Sequence, residues 1–362
     1  PYNLDKDGLK IYTTIDSRMQ KYAEASMREH LSQDLQKAFF EEKKYNRKGP
    51  FSKDLEQEQI DQIMKNSMRR SARYWNMKSR GKSEKEIKAA FKKPVEMSVF
   101  SYDGEIDTTM TPWDSLLYYK YYLHSGFMAV DPHDGHVKAY VGGINFKHFK
   151  FDHVTGGRRQ VGSTFKPFLY TLAMQEGYSP CYRVPNVPVT ITLQTGETWT
   201  PESVGPDRFK RKNITLKTGL AHSINNLSAW LIQQFKPKAV IDITRLMGVK
   251  SHIPEVPSIA LGSADLSLYE MVSAYTTYAN KGIHTTPLFV THIEDKNGNE
   301  LASFKARKNE AISENAAYLM LNLLQNVVNE GTSIRLRYKY ELEGEIAGKT
   351  GTTNNQSDGW FM

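Results

Sequence analysis

Positions 8–15 read Gly-Leu-Lys-Ile-Tyr-Thr-Thr-Ile, an alternating run rich in β-branched side chains that predicts a strand. Asp16 is suited to cap a helix over 17–37, with Met19, Tyr22, Ala23, Met27 and His30 on one stripe. Positions 39–93 read as polar helices divided at Gly49-Pro50 and at Gly81, followed by a strand over 95–102. Thr111-Pro112 then opens a short helix that runs to Tyr122. From Gly126 the pattern turns apolar. Phe127-Met-Ala-Val runs into the turn chemistry of Pro132-His-Asp-Gly135 and out again through 136–141, a hairpin signal. Helical periodicity recurs at 164–176, 216–234, 266–280 and 313–329, and strands return at 346–352 and 359–361. A hairpin, a block of helices and returning strands predict an α+β fold, an antiparallel sheet flanked by helices.

Length and charge refine this picture. At 362 residues the chain exceeds one ordinary core, so more than one unit is expected. The divisions fall at 1–38 (a linker strand and helix), 39–124 (a basic helical insertion with its connecting strand and helix) and 125–362 (the main domain). The net charge of +8 is not spread evenly. Residues 43–93 hold 16 Lys and Arg against 6 Asp and Glu, and the remainder is near balance at 32 against 34. The simplest reading of the basic stretch is a solvated helical surface; the alternative is a face for an anionic polymer or lipid headgroups. No zinc finger or RNP-type sequence supports nucleic-acid readout. Cys181 stands alone, which excludes an intrachain disulfide and a multi-cysteine zinc site. No run approaches the ~18 uncharged apolar residues of a membrane span, so the chain reads as soluble, or as the soluble part of something longer.

Three short motifs carry the chemistry, in order: Ser163-Thr-Phe-Lys166, Ser223-Ile-Asn225 and Lys349-Thr-Gly351. Each has a decoy. Ser79-Arg-Gly-Lys82, Ser313-Glu-Asn315 and Lys217-Thr-Gly219 fit the same patterns, so local structure has to decide. A serine and a lysine three apart share a helix face, and an apolar stripe of Phe165, Phe168, Leu169 and Leu172 follows Ser163. Pro167 fits only if that helix has just begun. Lys166 would then lie in a first turn, where the helix dipole and burial both disfavour an ammonium and favour a neutral base. Ser79 and Lys82 lie in a polar basic stretch with nothing to desolvate a lysine. Lys349 lies within the strand predicted over 346–352, which runs into a turn through Asn354, whereas Lys217 lies in a helix that Thr215 is placed to cap. Ser313 is an N-cap candidate for the helix after it.

At these residues the chain resembles the transpeptidase half of class A, or bifunctional, penicillin-binding proteins. The linker run 8–16, the hairpin 127–143, the stretch Arg159-Gln-Val-Gly-Ser-Thr-Phe-Lys-Pro-Phe168 and the stretch Leu261-Gly-Ser-Ala-Asp-Leu-Ser267 are also similar. The basic insertion is poorly covered, Val161 stands where proline is usual, and Pro201-Glu-Ser203 departs from a common Pro-x-Asn. The resemblance implies that Ser163 attacks a D-Ala-D-Ala stem peptide, Lys166 takes its proton, Ser223 relays it, and Lys349 polarises the relay. Asn225 would bind the substrate amide. The backbone N–H groups of Ser163 and Thr352 would form the oxyanion hole, and Thr350, Gly351 and Thr352 would hold the donor, their hydroxyls on its terminal carboxylate. It further implies an amine acceptor, acylation by β-lactams, and no metal or organic cofactor. A position on the outer face of the cytoplasmic membrane, anchored by an N-terminal membrane helix that is missing here, and strands continuing past Met362, are expected as well. The alternatives are a D,D-carboxypeptidase or β-lactamase-type hydrolase and a penicillin-sensing receptor domain. No Glu-x-x-x-Asn pattern occurs between 226 and 348 to activate a deacylating water, which weighs against an efficient β-lactamase.

Overall fold

In the computed structural model, which describes residues 2–193, 195–353 and 356–362, the alternating segment after Gly126 forms its hairpin. Phe127–Val130 pairs antiparallel with Val137–Val141, with Phe127 opposite Val141. The turn closes because Gly135, at φ +78°, adopts a left-handed conformation that a side chain would strain. The chain divides into two compact units. One is made of the residues up to Gln20, 126–142 and 151–362; the other of 21–125 and 143–150.

In the first unit the N-terminal strand Lys10–Thr13 pairs with Val290–Glu294, which also carries Glu300–Ser303. Every ladder between named strands is antiparallel among the described residues, and helices pack beside these ladders, so the α+β expectation is borne out. The ladders are short; the widest sheet has three strands. The core is built round the helix Lys166–Gln175, in which every residue from Lys166 to Met174 is buried. A helix apolar on all sides has to sit inside the molecule. Here its neighbours include Leu227 and Leu231 of the helix Asn225–Leu246 and Met320 and Leu323 of the helix Glu314–Asn329. Each such side chain contributes about 1.5–3 kcal/mol by leaving water. The helix Asn225–Leu246 breaks at Lys236 (φ 64°, ψ 153°), since Pro237 bars the residue before it from helical geometry and has no N–H to give.

Several boundaries differ from expectation: the strand over 8–15 shortens to Lys10–Thr13, and the helix over 216–234 is two, Leu216–Ala221 and Asn225–Leu246. The helix over 17–37 runs Ser17–His30, passes through a wider turn at Leu31–Leu35 and resumes as Gln36–Lys43. Asp16 caps it as predicted, accepting from the backbone N–H groups of Arg18 and Met19. Met19 and Tyr22 are exposed, though, so the stripe is not a core face. The strand over 346–352 shortens to Thr350–Thr352, and the turn expected through Asn354 lies outside the described residues.

The second unit has a core of its own. Met68, Tyr74, Ile87 and Phe91 come from the helices Gln57–Arg70, Ala72–Ser79 and Glu84–Phe91, with Trp113 and Leu116 of Pro112–Lys120 packed against them. Beside it lies a hairpin of Val95–Ser101 and Gly104–Met110. The second of these strands escapes the sequence pattern because Gly-Glu-Ile-Asp-Thr-Thr-Met is largely exposed and shows no buried alternation.

Candidate active site

Ser163 lies half-buried in the tight turn Gly162–Phe165, from which Lys166 starts the central helix. In a 3₁₀ turn, side chains three apart eclipse, so Ser163 and Lys166 share a face. Pro167 occupies the first turn, as its missing N–H requires. The turn is clamped by backbone on two sides. Gly162 N donates to Gly262 O (3.0 Å) and Val161 N to Ala264 O (3.1 Å), a bond that proline at 161 could not make. A Cβ on Gly162 would lie 2.6 Å from Thr352 O, one on Gly262 1.8 Å from Gly162 O, and one on Gly351 2.8 Å from Val161 O. Only glycine lets these three segments meet. The Lys-Thr-Gly strand is therefore laid against the turn that carries Ser163.

Ser223 sits between the helices Leu216–Ala221 and Asn225–Leu246 at φ +54°, a conformation usual for glycine and uncommon for serine. Ser223 N donates to Leu220 O and Ile224 N to Gly219 O, which fixes the reversal. This kink turns Ser223 and Asn225 toward the same amine.

The central observation is a pair of lysines with no exposed surface. Lys166 Nζ donates to Ser223 O (2.6 Å), Ser223 Oγ (3.1 Å) and Asn225 Oδ1 (2.7 Å). Lys349 Nζ donates to the same Ser223 Oγ (3.1 Å) and to Thr350 O (2.9 Å). Burial pushes Lys349 down to about 7. Burial, and then the charge of Lys349, push Lys166 well below the ordinary lysine range. Two ammonium groups about one hydroxyl, with no carboxylate among their hydrogen-bond partners in the described residues, disfavour each other's charge. One amine is then free to take a proton, and the Ser223 hydroxyl, which accepts through oxygen and donates through hydrogen, joins the two.

Of the remaining predicted residues, Thr350–Thr352 pair antiparallel with Gly359–Phe361, Gly351 is buried, Thr350 half-buried and Thr352 exposed. Lys349 and Met362 exchange both backbone hydrogen bonds, which extends this ladder by one pair. The decoys are accounted for structurally. Lys82 pairs with Glu86 (2.9 Å), Ser313 caps the helix Glu314–Asn329, and Lys217 lies in the helix capped by Thr215.

Three contacts were not read from the sequence. Thr332 Oγ1 lies 2.6 Å from Thr350 Oγ1, Asn225 Nδ2 donates to Glu202 O (3.0 Å), and Arg159 grips Asp358 through Nε–Oδ1 (2.8 Å) and Nη2–Oδ2 (3.1 Å). The last pair ties the hairpin of the Lys-Thr-Gly strand to the segment leading into Ser163. Arg159 stood in a motif, but nothing in the sequence marked its partner 199 residues away.

Residues 125–360 match the profile of the penicillin binding protein transpeptidase domain, and residues 46–123 that of the penicillin-binding protein middle domain. The chain belongs to the penicillin-binding protein transpeptidase family, and the resemblance read from its motifs is borne out. It is 27% identical over 365 aligned positions to penicillin-binding protein 1A of Aquifex aeolicus, covering 99% of this chain and 48% of that protein. With penicillin-binding protein 1B of Vibrio cholerae the identity is 32% over 243 positions, covering 66% and 31%. The solved structure of penicillin-binding protein 1A from Haemophilus influenzae superposes with a TM-score of 0.69 at 20% identity, covering 98% of this chain and 60% of that one. The chain spans about half or less of the length of these curated relatives. The stretch expected to be poorly covered by the family thus lies largely within a middle-domain match.

Proposed function

We propose that the chain is a serine D,D-transpeptidase that crosslinks peptidoglycan stem peptides and is acylated by β-lactams. The observation that carries this reading is the bridging of two fully buried lysines by Ser223 Oγ, at 3.1 Å from each, beside the turn that holds Ser163. In the first half-reaction Ser163 Oγ bonds to the carbonyl carbon of the penultimate D-alanine while its proton passes to Lys166. The bond to the terminal D-alanine breaks, and the proton reaches that leaving amine through Ser223, with Lys349 holding the relay polarised. Backbone N–H groups of Ser163 and Thr352 stabilise the oxyanion; a single donor of this kind is worth about 3–4 kcal/mol in comparable sites. Asn225 keeps one amide N–H on Glu202 O and offers the second to the substrate backbone. Hydroxyls of Thr350 and Thr352 hold the terminal carboxylate. In the second half-reaction the amine of another stem peptide attacks, its nitrogen bonds to the acyl carbon and gives a proton to the Ser223–lysine relay, and the ester bond breaks as Lys166 returns a proton to Ser163 Oγ.

No helix among the described residues is long and apolar enough to cross a membrane. The relatives extend well beyond the matched region, and anchoring by an N-terminal segment, with this domain on the outer face of the cytoplasmic membrane, is part of the same proposal. The test is incubation with a fluorescent penicillin. A long-lived adduct that Ser163→Ala abolishes supports the transpeptidase; an adduct released within seconds points to a hydrolase, and wild-type protein that never labels overturns the reading.

A further inference from the structure

Thr332 lies outside the three motifs, yet it stands between two of them. Its backbone N–H donates to the carbonyl of Ala221 (3.0 Å), the last residue of the helix that leads into Ser223. Its hydroxyl lies 2.6 Å from the Thr350 hydroxyl of the Lys-Thr-Gly strand. Gly331 makes the approach possible, since a Cβ there would lie 2.2 Å from Ala221 O. The helix Glu314–Asn329, from which the 331–332 turn emerges, also holds the strand: Gly348 N donates to Leu324 O (3.2 Å), two residues before Thr350. Leu323, Leu324, Val327 and Val328 fix that helix in the core. Both members of the Thr332–Thr350 pair thus stand on one closely packed base.

Thr350 is committed on two sides. Its carbonyl accepts from Lys349 Nζ (2.9 Å), its β-branched side chain is stiff about χ1, and its hydroxyl meets Thr332. A hydroxyl has one hydrogen to give, and an ionised carboxylate has none. When Thr350 gives its hydrogen to the donor's terminal carboxylate, its oxygen is left to accept, and the Thr332 hydroxyl is in place to donate to it. Two hydroxyls in series polarise each other and strengthen the outer bond. Thr332 is exposed and Thr350 half-buried, so the pair is within reach of a ligand from solvent. We propose that Thr332 is a positioning residue for the donor peptide. It holds the Thr350 hydroxyl as a hydrogen-bond donor toward the terminal carboxylate, and so sets the preference for a free carboxylate over a neutral end. It acts through Thr350 and exchanges no proton with the reacting atoms.

This assignment rests on the transpeptidase reading, in which Thr350 holds that carboxylate, and the experiment separates the two. The acylation rates of penicillin G and its methyl ester are compared; the ester blocks the carboxylate and leaves the β-lactam ring as it was. Wild-type protein should react about tenfold faster with the acid, the effect of one hydrogen bond to a charged group. Thr332→Val keeps nearly the same shape and drops the hydroxyl. It should lower the acid-to-ester ratio about fivefold, the size of one ordinary hydrogen bond, and Thr332→Ser should restore the ratio. The ratio is the readout because a mere latch between turn and strand would slow acid and ester alike. Thr332→Ala removes the same hydroxyl without branching and should give the same lowered ratio, which keeps the test intact if valine disturbs the fold. An unchanged ratio in the hydroxyl-free variants, whatever their absolute rates, would overturn the assignment of Thr332 alone. So would a serine variant as impaired as the valine one. Wild-type protein that takes acid and ester at equal rates would overturn the carboxylate role of Thr350 and Thr332 together and leave acylation at Ser163 standing. Wild-type protein acylated by neither would overturn the transpeptidase reading, and this assignment with it.

Discussion

At the scale of the residue, chemistry and stability pull in opposite directions at Ser223. Its left-handed backbone would suit glycine, and serine there carries a cost of about 1–2 kcal/mol. Only a side chain with a hydroxyl can join Lys166 to Lys349. Ser223→Gly and Ser223→Ala both remove that hydroxyl, and only glycine removes the strain, so the glycine variant should be about 1 kcal/mol the more stable of the two. Urea denaturation of the pair measures this difference, and penicillin acylation should be severely slowed in both. The buried lysines set the pH response. With Lys349 at about 7 and Lys166 held low as well, falling pH protonates the pair and removes the proposed base. Acylation should therefore rise from pH 5 to pH 8 and then level off. The stability consequence has the same sign: between about 7 and the ordinary lysine value the unfolded chain binds more protons than the folded one, so stability rises with pH across that window. Urea midpoints at pH 7 and pH 10 should show this slope, and Lys349→Met should flatten it. Lys166→Ala should keep the fold and lose most of the acylation rate; an unchanged rate would remove Lys166 from the role of base.

At the scale of the element, the site is a meeting of three backbones, and glycines set how closely they approach. Gly262→Ala would place a methyl 1.8 Å from Gly162 O, a clash that backbone cannot absorb, and at φ +83°. It should destabilise by more than about 2 kcal/mol and slow penicillin acylation by moving Ser163 relative to the Lys-Thr-Gly strand. Labelling rate and Tm together check this. The helix that opens after Ser163 could be read in advance, and the decoys at Lys217 and Ser313 set aside, because the reasons are local: a proline that has to start a helix, a threonine or serine that caps one, an apolar stripe after Ser163. The close approach of Gly162, Gly262 and Gly351 could not be read so, since each glycine has an ordinary explanation within its own segment. The Arg159–Asp358 fork, the Thr332–Thr350 contact and the polar strand Gly104–Met110 were illegible for the same reason. Each depends on a partner that no periodicity within its own segment announces.

At the scale of the molecule, the basic stretch gives a different lesson. Charge alone suggested a solvated insertion, yet the residues between its lysines and arginines build a core. Ile87 is fully buried and Met68 and Phe91 nearly so, an arrangement that a merely solvated surface has no need of. Separately cored units unfold separately when nothing strong couples them, and every proposed catalytic group belongs to the other unit. Phe91→Ala leaves a cavity where a ring was packed and should cost about 3–5 kcal/mol, all of it within the second unit. Calorimetry should then resolve a transition displaced to lower temperature while a second one stays in place. At a temperature below both transitions, the rate of penicillin acylation at Ser163 should match the unsubstituted protein within about twofold. A single transition that moves as a whole, or an acylation rate that falls with the stability, would show that the two cores act as one body and that the basic unit supports the site directly.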